Sequence, residues 1–260
     1  MDLGLAGRTA FLAASSQGLG YACARSLARE GVAVILNGRD ETKLADALAS
    51  LRAELPGAGV RGVTADLTTA DGRAAITSAV PDVDILVTNN AGPRPGGLDD
   101  WDEHALIEAA RAHLVPAVEL MRAYIPGMRA RSFGRIVNIT SAMVKSPAYE
   151  MGLSASARSA LTAISKSISK DVARDNVTVN NLLPERIDTP RQEFMAQRLM
   201  TSAGIDRTEA RSRIASTITA GRLGRPEEFG DACAFLCAAQ AGYLSGQNLQ
   251  LDGGTYEGLI

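Results

Sequence analysis

Three cysteines and two histidines are all that this chain of 260 residues holds of the softer metal ligands. Cys23, Cys233 and Cys237 are too few for a disulfide framework, and the last two stand at helical rather than zinc-site spacing, so they read as reduced core residues. Aromatic residues amount to 4%, and the formal net charge is −2 with a pI near 5.8. Without a basic surplus nothing neutralises a run of phosphates, and neither a nucleic acid nor an anionic membrane is an expected partner. No apolar stretch reaches membrane-spanning length, and Met1-Asp2-Leu3-Gly4 lacks a basic segment followed by an apolar run, which points to a cytoplasmic location. What is present is an ordinary globular balance, 46% hydrophobic and 22% charged, enough to build a sizeable core.

Short β-rich apolar runs alternate with helical patterns from end to end, the signature of βαβ units. Strands are expected at 8–13, 32–37, 60–65, 84–88, 134–140, 178–183 and 247–252, and helices near 18–30, 41–54, 69–79, 103–125, 153–173 and 226–238. Most of these strands are continuously apolar, as strands covered on both faces must be. The expectation is an α/β fold, a Rossmann-type doubly wound parallel sheet of seven strands with helices on both faces. No linker or repeat divides the chain, so 1–260 reads as one domain. The rhythm breaks at 185–225, where a long segment after a strand's C-terminal end suits a cover over a substrate.

The first strand runs straight into Ala14-Ser15-Ser16-Gln17-Gly18-Leu19-Gly20 and then a helix. In that setting glycines let a pyrophosphate approach the backbone at the helix's positive end, although strand-to-helix turns also use glycine for steric reasons alone. After the second strand stands Asn37-Gly38-Arg39, with no carboxylate for a free ribose hydroxyl and a cation suited to a 2′-phosphate. NADP is therefore the expected cofactor; NAD is the alternative if Arg39 merely caps the loop. Asp66, after the third strand, suits the adenine amino group or a plain turn.

These pieces resemble the short-chain dehydrogenase/reductase family, above all its 3-oxoacyl carrier-protein reductase-like members, over essentially the full length. The resemblance also rests on Asp66-Leu67-Thr68, Asn89-Asn90-Ala91-Gly92, Asn138-Ile139-Thr140-Ser141, Pro184 with Asp188-Thr189-Pro190, Gly221-Arg222-Leu223-Gly224-Arg225-Pro226-Glu227-Glu228 and Leu251-Asp252-Gly253-Gly254. It implies that the Ala14–Gly20 turn, Asn37, Arg39, Asp66, Leu67, Asn90, Ala91, Gly92 and Pro184 belong to the cofactor site, with Ile187 and Thr189 at the nicotinamide carboxamide. It also implies a dimer or tetramer associating through helices 103–125 and 153–173.

The resemblance fails at the proton-transfer residues. The family's serine is Ser141, but thirteen residues on its tyrosine is Ser154, four further its lysine is Arg158, and His113 stands in its asparagine slot. A phenol with a pKa near 10 can be drawn towards neutrality by a neighbouring cation, whereas an aliphatic hydroxyl is a far weaker acid. Arg158 can bond the nicotinamide ribose but stays protonated. Ala14 adds a methyl group where the family has its first glycine. Two residues are candidates for the missing acid: His113, which could equally fill the asparagine slot structurally, and Tyr149, which either turns its phenol inward or forms a pocket wall. His104 reads as a solvated surface residue. The chain is thus expected to be an NADP-dependent oxidoreductase of a small carbonyl or alcohol substrate with unusual proton chemistry. The alternatives are a non-redox lyase, hydratase or C–C hydrolase, or a silent dinucleotide-binding protein on the same scaffold.

Overall fold

The computed structural model describes residues 2–259. Its strands are β1 (Thr9–Leu12), β2 (Ala33–Gly38), β3 (Val60–Thr64), β4 (Ile85–Thr88), β5 (Gly134–Ile139), β6 (Val177–Pro184) and β7 (Asn248–Leu251). All pair in parallel, in the order β3-β2-β1-β4-β5-β6-β7. The direction of winding reverses between β1 and β4, and such a switch point opens a crevice at the C-terminal ends of the strands.

The helices are α1 (Gly18–Arg29), α2 (Glu41–Glu54), α3 (Ala70–Ala79), α4 (Glu103–His113), α5 (Val115–Ala130), α6 (Gly152–Val172), α7 (Pro190–Ala203), α8 (Arg207–Ser216) and α9 (Pro226–Cys237). Strand side chains alternate between the two faces. In β1, Ala10 and Leu12 pack with Leu27 of α1, Leu51 of α2 and Phe229 of α9. Phe11 instead joins Ile76 of α3, Met121 and Tyr124 of α5 and Leu161 of α6. The three cysteines are free and buried in the first of these layers.

Two expectations need correction. The single helix over 103–125 is two, parted at Leu114, and the second runs on through Pro126 to Ala130. Pro116 lies in the first turn of α5, where its missing N–H costs no hydrogen bond. The irregular segment 185–225 holds α7 and α8, tied together by Glu193, which pairs with Arg207 at 2.7 Å and Arg211 at 3.3 Å. Among the described residues no helix is long and apolar enough to cross a membrane.

Candidate active site

At the end of β1 the chain turns through Ala14 with φ of 45°, a left-handed value that a Cβ makes costly. Two side-chain amides hold it there. The Ala14 N–H donates to Asn37 Oδ1 at 3.1 Å, and its carbonyl accepts from Asn89 Nδ2 at 3.2 Å. Asn37 Nδ2 donates to the carbonyls of Val63 and Ala65, both at 3.1 Å. Ser15 is buried beneath the turn, with its N–H on the Asn37 carbonyl at 2.7 Å and its hydroxyl on the Leu12 carbonyl at 2.7 Å. Asn37 and Ser15, both expected to contact a cofactor, make these hydrogen bonds within the protein and brace the turn.

Gly18 has φ of 61°, and a Cβ on Gly20 would lie 2.8 Å from the Ala14 carbonyl oxygen and the Ser15 Cα, so neither position takes a side chain without strain. Gln17 starts α1 without a side-chain cap, and no acidic residue follows in the first turn. That helix presents free N–H groups and the positive end of its dipole, whereas Asp40, Thr69 and Asp102 cap α2, α3 and α4 with their own side chains. Leu19 faces inward to the core. Ser16 touches Gly38, and the exposed Arg39 lies 4.0 Å from Asp66 Oδ2. Asp66 accepts from the Thr68 N–H at 2.9 Å and hydroxyl at 2.7 Å, which hold its carboxyl below the usual range. Leu67 is buried beside it. An open helix end, two glycines that take no side chain without strain and a cation at the end of β2 fit a dinucleotide with a 2′-phosphate.

The neighbouring strand ends carry the second half of the site. Thr88 donates to Asn138 Oδ1 at 2.6 Å, and Asn138 donates to Ser165 at 2.9 Å and Asn181 at 3.3 Å, fixing β4, β5 and β6 beneath it. Asn90 donates to the carbonyl of Ala112 at 2.8 Å, bracing the chain just before His113. Between them is a cavity of about 10 Å³ lined by Thr88, Asn89, Asn90, Ala112 and His113, on the order of the smallest space that holds a water. Ala91 and Gly92, next along the chain, are exposed.

His113 is buried, and its Nε2 has no partner among the described residues. Burial first, and the Arg158 charge second, push its pKa well below 6.5, so it is neutral at pH 7. Arg158 and His113 both close on Gly92: a Cβ there would stand 3.4 Å from Arg158 Nη2 and 3.6 Å from His113 Nε2. The Arg158 Nη1 donates to the Ser154 hydroxyl, while Nε is buried and unpartnered. Burial, then the charge of Arg191, lowers the Arg158 guanidinium to about 10. Ser141, just past β5, accepts from the Met143 N–H at 3.2 Å. Pro184 ends β6, Ile187 is buried against Gly224, and Thr189 starts α7 within 3.9 Å of a Cβ on Gly18.

Tyr149 is set against the loop before α4 rather than turned inward. Its hydroxyl accepts from the Leu98 N–H at 3.1 Å, and its ring lies 5.5 Å from that of Trp101. Three polar groups at this edge went unread in the sequence: Arg191 in the first turn of α7, and the buried, unpartnered Trp101 Nε1 and Gln192 Oε1. Only for Arg191 was there a signal, a cation directly after Thr189-Pro190.

The family described as enoyl-(acyl carrier protein) reductase matches residues 13–256. The chain belongs to the short-chain dehydrogenase/reductase family. It is 30% identical over 256 residues to the NADPH-dependent reductase BacG of Bacillus subtilis, covering 97% of this chain and 99% of that protein. It is also 30% identical over 258 residues to the 3-oxoacyl-[acyl-carrier-protein] reductase FabG of Vibrio cholerae, covering 98% and 99%. The crystal structure of L-sorbose reductase from Gluconobacter frateurii, complexed with NADPH and L-sorbose, superposes with a TM-score of 0.94 at 30% identity and covers 100% of both chains.

Proposed function

We propose that the protein is an NADP-dependent oxidoreductase that interconverts a small carbonyl compound and its alcohol. The observation that carries this reading is one sheet edge holding both an open phosphate cradle, at Gly18, Gly20 and Arg39, and the group Ser141, Ser154, Arg158 and His113. NADPH resides in relatives of the same length and fold, and this chain's cradle has the parts to receive it.

When bound, the nicotinamide supplies or accepts the hydride. The protein's task is the oxygen. Ser141 and Ser154 offer hydroxyls to it, and Arg158, which already donates to Ser154, leaves that serine's own proton free to point at the substrate. The guanidinium stays charged and stabilises an alkoxide through Ser154, as well as reaching the ribose hydroxyls. His113, neutral beside the water-sized cavity, relays a proton from solvent towards the alkoxide that hydride addition leaves, and back again in the oxidation. Self-association into a dimer or tetramer accompanies this reading, supported by Leu106 and Ile107 standing exposed on α4.

A non-redox reaction is the second reading, favoured by one observation: the Tyr149 phenol is engaged by Leu98, so no phenol stands where the family keeps one. Titrating purified protein with NADPH and NADP and then screening carbonyl substrates by nicotinamide absorbance separates the two. Binding with turnover is expected. Tight binding without turnover of any carbonyl moves the assignment to the second reading, and failure to bind either nucleotide overturns the first.

A further inference from the structure

By the family resemblance Ser154 meets the substrate, yet it is only 2% exposed. A hydroxyl that must reach a carbonyl is thus shut off from solvent, so part of its cover has to move. α6, which carries it, stays in place, because Leu161 and Val172 anchor that helix in the core. α7 begins at the cofactor end, where Thr189 faces Gly18. The chain between Gly92 and α4 differs from both: none of residues 93–101 is buried, and the stretch meets α6 at each of its ends.

At one end, a Cβ on Gly92 would stand 3.4 Å from Arg158 Nη2. At the other, Trp101 packs with Leu153 and Ala157, the residues just before Ser154 and Arg158, and a Cβ on Gly152 would lie 2.4 Å from its ring. Gly152 and Arg158 are about 9 Å apart along the helix. Residues 93–101 could reach about 30 Å if extended, so chain length leaves the stretch slack and contacts alone hold it in. Its tip is a turn of its own: Gly97 N–H donates to Asp100 Oδ2 at 2.8 Å, Asp100 N–H to the Gly97 carbonyl at 2.9 Å, and Trp101 N–H to the Leu98 carbonyl at 3.1 Å. Two hydrogen bonds among the described residues tie the tip to the segment before α6. Gly96 N–H donates to the Glu150 carbonyl at 2.9 Å, and Leu98 N–H to the Tyr149 hydroxyl at 3.1 Å. Tyr149 is 67% exposed, so water competes for that bond and local opening is cheap.

We infer that residues 93–101 are a strap covering Ser154 on the substrate side, and that the Tyr149 hydroxyl is its latch. When the latch lets go, the strap swings out as one body about Gly92 and about Asp102, the N-cap of α4, and opens a path to the Ser154 hydroxyl. Pro93 and Pro95 stiffen it behind Gly92, the residue freest to turn. Tyr149 is then a positioning residue: its phenol is spent on the strap and sets how often a substrate is admitted. The inference rests on the oxidoreductase reading only in taking Ser154 to meet a substrate; the motion does not depend on it.

Two measurements test it, and neither needs turnover. Tyr149→Phe keeps the ring beside Trp101 and removes the bond to Leu98, whose amide then exchanges faster with deuterium in any case. The strap requires more: Gly96, whose own bond to Glu150 is untouched, is expected to exchange roughly three- to tenfold faster as well, the worth of one neutral hydrogen bond. Asp100 and Trp101, bonded within the tip, keep their rates. An unchanged Gly96 overturns the inference. Access is read by alkylating Ser154→Cys with iodoacetamide, with NADP at saturation so that the cofactor side is filled; the native Cys23, Cys233 and Cys237 are fully buried and stay silent. Alkylation should be roughly three- to tenfold faster when Tyr149→Phe is added. It should be faster still with Gly152→Ala, whose Cβ displaces the Trp101 ring, a change that the chain's one tryptophan reports as a red shift of its emission. Equal alkylation in all three backgrounds, or a red shift without faster alkylation, overturns the cover over Ser154. The exchange measurement leaves Ser154 unaltered, so it decides the strap even where Ser154→Cys fails to fold. A protein that opens as expected but reduces no carbonyl keeps the strap and sinks the oxidoreductase reading, so the two failures are distinct.

Discussion

Arg158 donates to the hydroxyl of Ser154 from one turn further along α6. By the resemblance the pair stands at the family's tyrosine and lysine positions, with the sign of charge kept but the acidity lost: the cation cannot shuttle, and the hydroxyl can only present a proton it does not readily lose. Ser154→Ala removes that hydroxyl and leaves a second guanidinium nitrogen beside Nε without a partner. Turnover should fall by about 10²-fold, as when one donor to a developing oxyanion is lost, with the KM for NADPH unchanged. Unfolding stability should drop by roughly 1–3 kcal/mol. Steady-state kinetics and urea denaturation read the two effects separately, and a variant with full turnover would remove Ser154 from the reaction.

Arg39 has 75% of its side chain exposed, and its contact with Asp66 is a loose one at 4.0 Å. It is therefore available to a 2′-phosphate at little cost in existing interactions. Arg39→Ala should weaken NADPH by about ten- to a hundredfold, the range of a charged hydrogen bond, and leave NADH affinity where it was. Equal loss for both nucleotides, measured by fluorescence titration, would assign Arg39 to the loop rather than to the phosphate.

Ala14 holds a conformation that glycine adopts freely. Its left-handed φ costs roughly 1–2 kcal/mol, against which a glycine's extra freedom in the unfolded chain counts about 0.5–1 kcal/mol. Ala14→Gly should thus stabilise the protein slightly, raising the melting temperature by about 1–3 °C, and should not weaken NADPH. A fall in melting temperature would show that the methyl group contributes packing that outweighs the strain.

The strand-and-helix alternation was legible because each buried strand is an apolar run and each helix repeats its apolar face. Such local signals survive without knowledge of the partner. α8 was not legible, because only Ala210 and Ile214 of its ten residues are buried and the rest are charged or small. The break at Leu114 was hidden for the opposite reason: both flanking helices share one apolar pattern, and the turn between them leaves the periodicity nearly intact. In the site, the order of Gly18, Asn90, Ser141 and Thr189 was enough to locate the sheet edge. What side chains do there was not, since Asn37 reaches β3 and Tyr149 reaches Leu98, contacts that no local spacing announces. That Asp188 and Glu193 are both taken by α8 likewise needed the fold.

His113 makes folding sensitive to acid as the pH falls below 6.5. Burial and then the Arg158 charge hold its folded pKa well below 6.5, whereas in the unfolded chain it titrates near that value. As pH falls through 6.5 the unfolded state binds a proton that the folded state refuses, so stability that is complete above 6.5 is lost on descent towards the folded pKa. The slope from this one group approaches about 1.4 kcal/mol per pH unit. His113→Asn keeps a hydrogen-bonding side chain of similar reach and removes the titration, so its stability should be flatter than that of the unaltered protein between pH 6.5 and about 5. Parallel urea titrations across that range decide it: identical slopes would mean that folding does not alter proton uptake by His113, and the neutral imidazole beside Arg158 would then not be held as the pH falls.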